Sequence, residues 1–148
     1  ILFHMYTGFQ HLHSGLAYLV LLILVGVIGY ALVNFINKKP FTEKARKFSL
    51  VGLIAAHIQL LIGLVLYVIS PMGISNFSSE AMGDAMSRLY MLEHPLTMII
   101  GIVLITIGYS KAKSGDDDTA RYKKILIFYG LGLFLILLLI PWSAWPGM

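Results

Sequence analysis

The chain has 148 residues, 58% of them hydrophobic and only 12% charged, with a net charge of +4. A water-soluble domain carries about a quarter charged residues, so this composition, with a mean hydropathy of +0.83, excludes one and makes the bilayer the solvent. The basic residues sit too close to apolar stretches to point to a nucleic-acid partner, and the lack of cysteine excludes disulfides, iron–sulfur clusters and haem attached through Cys-x-x-Cys-His.

The first stretch, Phe3–Asn37, contains no Asp, Glu, Lys or Arg. Its core Leu16–Val33 is longer than the roughly 7–15 apolar residues of a signal peptide, and no basic residue precedes it. It reads as a permanent transmembrane helix over residues 13–37. Lipid offers no partner for backbone N–H and C=O, and the unbroken apolarity lacks the period-2 alternation of a barrel strand, so helix is the form predicted throughout. A basic connection follows (Lys38, Lys39, Lys44, Arg46, Lys47), and the uncharged stretch Phe48–Ser79 predicts a second helix over 46–70.

Between the second and third helices, Met82, Ala85, Met86 and Leu89 fall at helical spacing, with Glu80, Asp84, Ser87 and Arg88 on the remaining positions. This predicts an amphipathic lead-in over 79–92. Pro95 disfavours regular helix at the residue before it, so a kink or a helix start belongs at His94–Pro95, with the third helix over 94–111. A second basic connection (Lys111, Lys113, Arg121, Lys123, Lys124) contains Gly115 and Asp116–Asp118, read as a solvated loop. The fourth helix is predicted over 123–141, stopped by Pro141, with Trp142 and Trp145 as an interface belt.

Ten of the eleven basic residues thus lie in two short connections, and Arg88 is the exception. The positive-inside rule makes those connections cytoplasmic and puts both ends of the chain on the non-cytoplasmic side. Short connections between neighbours predict an all-α, up-down-up-down four-helix bundle in the membrane. A weak internal repeat relates helices 1 and 3: His13-Ser-Gly-Leu leads to Ile28-Gly29-Tyr30, and His94-Pro-Leu leads to Ile107-Gly108-Tyr109.

No intramembrane carboxylate relay or row of charges is present, so the histidines are the candidates for chemistry. His57 is ten residues past Lys47, about 15 Å into a core about 30 Å thick. His94 is seventeen residues before Lys111, about 25 Å from the inner boundary, and His13 is farther out. Neutral imidazole is a common metal ligand, and two of them from different helices can hold a haem iron, each with its second nitrogen on a carbonyl or hydroxyl. Gln59, Thr97 and Thr106 are intramembrane partners for such nitrogens. The plainer reading is that His57 serves as polar glue to a facing helix. His57 with His94 is the favoured pair, despite a depth offset of about 10 Å. The alternative, His13 with His94, lies on diagonal helices and becomes level if the repeat is real.

Three stripes of small residues accompany the histidines: Gly15, Leu22, Gly26 and Gly29 in helix 1, Gly52, Ala56, Gln59 and Gly63 in helix 2, and His94, Thr97, Gly101 and Gly108 in helix 3. They give room either to a flat macrocycle or to close helix packing. Arg88 is a candidate partner for haem propionates or a solvated charge. His11 and His13 share one side only if the chain there is extended, which would suit copper or zinc.

The chain resembles, over almost its whole length, a family of small bacterial four-helix membrane proteins labelled cytochrome b or cytochrome-b-like. The matching stretches are His13-Ser14-Gly15-Leu16, His57 through Tyr67, Glu93-His94 and Ile140-Pro141-Trp142; where that family commonly has Arg-Trp after the first, this chain has Ala17-Tyr18. The resemblance implies non-covalent b-type haem, electron transfer with a quinone or a respiratory-chain protein, and a bacterial cytoplasmic (inner) membrane. Two other readings stand beside it: a membrane subunit or assembly factor without haem, whose histidines serve packing, oligomer formation or contact with another chain, and a protein handling metal or quinone at its outer face. No nucleophile–base or carboxylate pair suggests a substrate reaction.

Overall fold

The computed structural model describes residues 2–146, and all the regular structure among them is helical. Four helices are long: α1 (Leu2–Ile36), α2 (Glu43–Ile69), α5 (His94–Lys113) and α6 (Asp118–Leu138). Between α2 and α5 come a 3₁₀ turn (Ile74–Asn76), the short helices α3 (Ser79–Gly83) and α4 (Ala85–Arg88), and a π turn (Leu89–Glu93). Helix α1 packs on α2, α2 on α5, α5 on α6 and α6 back on α1, so α1 and α5 are diagonal. Leu24, Val27, Ile105, Ile125 and Tyr129 fill the centre.

Three runs are long and apolar enough to cross a membrane: His4–Ile36, Glu43–Ile69 and Ala85–Lys113. Their outward faces are themselves apolar, with Leu22 70% and Val68 65% exposed. Such a surface suits lipid and not water. In α6 the uncharged part starts only at Ile125, after Arg121, Lys123 and Lys124, and is fourteen residues long to Leu138.

The helix limits differ from expectation for identifiable reasons. Helices α2 and α6 start earlier than 46 and 123, because helical hydrogen bonding runs on through the basic residues to a polar cap: Thr42 Oγ1 accepts from the Ala45 N–H, and Asp117 Oδ2 from the Ala120 N–H. Helix α1 starts at Leu2, well before 13. At the other end of α6, Pro141 has no N–H for the carbonyl of Leu137; the Trp142 indole Nε1–H takes that carbonyl at 2.9 Å, and the helix ends at Leu138, not 141.

Pro95 produces the same deficit inside the third run. Helix α4, the π turn and α5 form one continuous path, with the His94 N–H on Leu89 O instead of the usual carbonyl one residue later. Pro95 in turn has no N–H for the carbonyl of Met91, a residue with no exposure, and the Tyr67 hydroxyl of α2 donates to that carbonyl at 2.8 Å. A freed carbonyl in lipid needs such a partner. The expected lead-in is therefore partly an extension of the third long helix.

The two basic connections meet at one end. Arg121 donates to the carbonyls of Ala112 and Phe41 and lies over the Phe41 ring at 4.1 Å; Tyr122 Oη donates to Pro40 O, and Arg46 Nη1 to Tyr109 Oη. Close backbone approach joins α5 and α6: a Cβ on Gly132 would stand 2.7 Å from Gly101 O.

Candidate functional site

Helix α1 runs unbroken through His13, whose imidazole enters the space between α2 and α5. His94, the first residue of α5, enters the same space from the diagonal helix. The two ring centroids are 6.3 Å apart and the planes are nearly perpendicular, at 86°. Around them is a cavity of about 200 Å³ that no Asp, Glu, Lys or Arg lines.

The local chain path fixes the His94 ring. Because α6 ends at Leu138, the Leu139 carbonyl lies beyond the helical ladder and is free to accept. It accepts from His94 Nδ1 at 2.8 Å. A carbonyl can only accept, so the proton is on Nδ1 and the Nε2 lone pair is left for another partner. Near His13 the chain is held from outside: the Trp145 indole donates to Ser14 O at 3.0 Å, and its ring lies on Tyr18 at 4.6 Å.

Helix α2 supplies the seat for His13. A Cβ on Gly63 would come within 2.9 Å of His13 Cε1 and 3.4 Å of Nδ1, so the imidazole occupies space that only glycine leaves open. One turn earlier, Gln59 Nε2 donates to the main-chain carbonyl of His13 at 2.8 Å. His13 Nδ1 and Gln59 Oε1 are both buried and have no hydrogen-bond partner. Tyr67 and Ala56, from the same face, also line the cavity.

The structure brings together His13 and His94 and leaves His57 apart. His57 is on the exposed side of α2, with Nδ1 2.9 Å from Leu53 O of its own helix, and is not among the cavity residues. The depth argument did not consider which way each side chain points: Gly52, Ala56, Gln59 and Gly63 form the inward stripe, and residue 57 falls about 100° from Ala56 around the helix. Arg88 likewise does not line the cavity; its Nε donates to Glu93 Oε1 at 2.8 Å and its Nη1 to Met82 O. The extended arrangement needed for a copper or zinc site at His11 and His13 is absent, since both are helical; His11 is exposed while His13 faces the cavity. Thr106 bonds Ile102 of its own turn.

The small-residue stripes separate too. That of α2 packs on Val27 and Tyr129 and seats His13, and in α5 Gly101 and Gly108 meet α6. In α1, Gly15, Leu22 and Gly29 face outward, and a Cβ on Gly15 or Gly29 would meet nothing within 4 Å. The Leu139 carbonyl was not foreseeable, because a backbone acceptor carries no residue-type signal; Pro141 was the available hint.

Chemically, the cavity offers two imidazoles in apolar surroundings with no acidic or basic side chain in its wall. Among the described residues, no group of three or more His, Asp or Glu side chains is placed to hold a metal ion. No family model, no curated protein and no solved structure matches the chain.

Proposed function

We propose that the chain is a four-helix membrane bundle of the bacterial cytoplasmic membrane, with both described ends outside, that binds one b-type haem between His13 and His94 and takes part in electron transfer. The observation that carries this reading is the His13–His94 pair, 6.3 Å between centroids, projecting from diagonal helices into one apolar cavity. Two imidazoles bound to one iron through bonds of about 2 Å stand with their ring centres roughly 6 Å apart. In His94, the Nδ1–H bond to Leu139 O leaves Nε2 as the ligating nitrogen, the second-sphere arrangement that metal-bound histidines use.

Such a group, when bound, supplies a one-electron couple. The chain's own part is to hold both rings, exclude water and keep charge away. Gly63 makes room for His13, Leu139 fixes the His94 tautomer, and Trp145 lies over the outer end of the site. The grouping of ten basic residues at the opposite end supports the orientation. Short as it is, α6 crosses in this reading by letting Lys123 and Lys124 reach the inner interface.

The cavity's volume favours a second reading. About 200 Å³ is below the roughly 300–1,000 Å³ of ordinary ligand sites, and a lipophilic ring such as a quinone headgroup needs less space than a macrocycle. In that case the His94 Nε2 lone pair accepts from a hydroxyl of the reduced ring.

An absorption spectrum of protein purified from a haem-sufficient host separates the two. A Soret band with sharp α and β bands on reduction supports bis-histidine haem. A spectrum without them after haem supplementation, with a quinone recovered by organic extraction, supports the second reading and ends the first.

A further inference from the structure

Helix α2 is the least buried of the three runs long and apolar enough to cross a membrane. On its outward side Ile54, His57, Leu61, Val65 and Val68 recur at spacings of three and four, and all five are exposed. His57 is the one polar member of this stripe. It is ten residues past Lys47 and near the middle of α2, about 15 Å into a core about 30 Å thick. An ionisable residue at that depth ordinarily faces the bundle interior or a water-filled space, but none of the five lines the cavity. His57 Nδ1 is 2.9 Å from Leu53 O. A carbonyl only accepts, so the proton is on Nδ1 and Nε2 keeps a lone pair. Lipid tails have no donor for it.

We propose that this face of α2 docks a membrane-spanning helix of another protein, one that carries a hydrogen-bond donor, an N–H or O–H, at the depth of His57. The proposal rests on the reading of α2 as a membrane-crossing helix and not on haem. The Leu, Ile and Val side chains beside His57 offer packing, which lipid tails match; the imidazole offers a hydrogen bond, which they do not. A second copy of this chain suits the face less well. Copies share one orientation in the bilayer, so an isologous pair has its two-fold axis along the membrane normal and sets His57 against His57. Two lone pairs do not satisfy each other. For one ring to donate, its proton must move to Nε2 and leave Leu53 O, so the number of hydrogen bonds does not rise. The Thr106 hydroxyl of a second copy is at another depth, five residues from Lys111 or about 7 Å from the inner boundary, and it already donates to Ile102 O. A small lipophilic molecule is held by a concave surface, whereas this stripe is an open helix face.

The test uses the full chain in lipid vesicles, with an acceptor dye on Asp116→Cys in the exposed inner loop. The probe is a dye-labelled Leu/Ala peptide of about 20 residues with lysines at its ends and one Trp at its centre. The indole N–H donates and does not accept, so two such peptides do not pair through it. The comparison peptide has Phe in its place. Energy transfer should show the Trp peptide binding the parent chain about 3- to 30-fold more tightly than the Phe peptide, and His57→Leu should remove the difference. Equal binding of the two peptides by the parent chain, or a difference that persists in His57→Leu, overturns the proposal. Self-association of the parent chain that His57→Leu abolishes assigns the face to a second copy and overturns it as well. If His57→Leu does not fold, the Trp is moved two turns from the peptide centre, and an unchanged affinity overturns the proposal. Flotation with the vesicles separates the two readings. A chain that does not enter the bilayer ends the membrane reading and the proposal together, and an inserted chain without preference for the Trp peptide ends the proposal alone.

Discussion

The imidazole of His13 rests where a side chain on Gly63 would be, with Cε1 2.9 Å from the position of the missing Cβ. Gly63→Ala must therefore push the ring away from α2. Overpacking of this kind costs about 1–3 kcal/mol, of which the better helix propensity of alanine returns up to about 1 kcal/mol. Stability should change modestly, and haemin affinity in a titration should fall much more, because the displaced ring is one of the two proposed ligands.

Substitution of the histidines sorts the candidate pairs. His13→Ala and His94→Ala should each abolish the low-spin reduced spectrum, whereas His57→Ala should leave it unchanged, since His57 is exposed, does not line the cavity and has its Nδ1 2.9 Å from Leu53 O of its own helix. Low-spin character lost in His57→Ala but kept in His13→Ala would restore the pairing of His57 with His94.

Tyr67 and Pro95 are expected to be energetically coupled. Tyr67→Phe leaves the buried Met91 carbonyl unpaired, at a cost of about 1–2 kcal/mol in detergent unfolding experiments. Pro95→Ala provides a backbone N–H for the same carbonyl, and in that background Tyr67→Phe should cost only about a few tenths of a kcal/mol, a non-additivity that a double-mutant cycle reads directly. Trp142→Phe creates the same deficit at Leu137 O, but Trp142 is 52% exposed at the end of the chain path and water can replace it; its effect should be within about 0.5 kcal/mol.

Glycines of equal appearance in the sequence should respond unequally. Gly132→Ala sets a Cβ 2.7 Å from Gly101 O and 2.7 Å from Ile105 Cγ1, a clash with backbone that no rotamer relieves; a loss of about 2–3 kcal/mol is expected. Gly15→Ala and Gly29→Ala meet open space and should be neutral, or stabilising by up to about 1 kcal/mol. Unfolding midpoints of the three variants test the contrast.

The positions of the helices were legible because apolar length and the two basic connections are properties of contiguous sequence. Their ends were less so: Thr42 and Asp117 cap beyond the apolar stretch, and Pro141 ends α6 short of itself. For the site, the histidine residue type and Pro95 were readable, and so was the small-residue face of α2 that turned out to seat one of the rings. Depth along the axis was estimated from residue counts, which pointed to His57; rotation about the axis decides whether a residue meets the cavity, and that put His13 there instead.

By itself the sequence determined the solvent of this protein, the identity of its charged end and the shortlist of imidazoles, since hydropathy, charge and residue type need no partner to be read. Only the tertiary structure decided which two imidazoles face each other and which contacts from elsewhere in the chain hold them. Those relations join residues as far apart as His13 and Gln59, or His94 and Leu139. They depend on how four helices rotate against one another, and the carbonyl oxygens involved are the same in every amino acid.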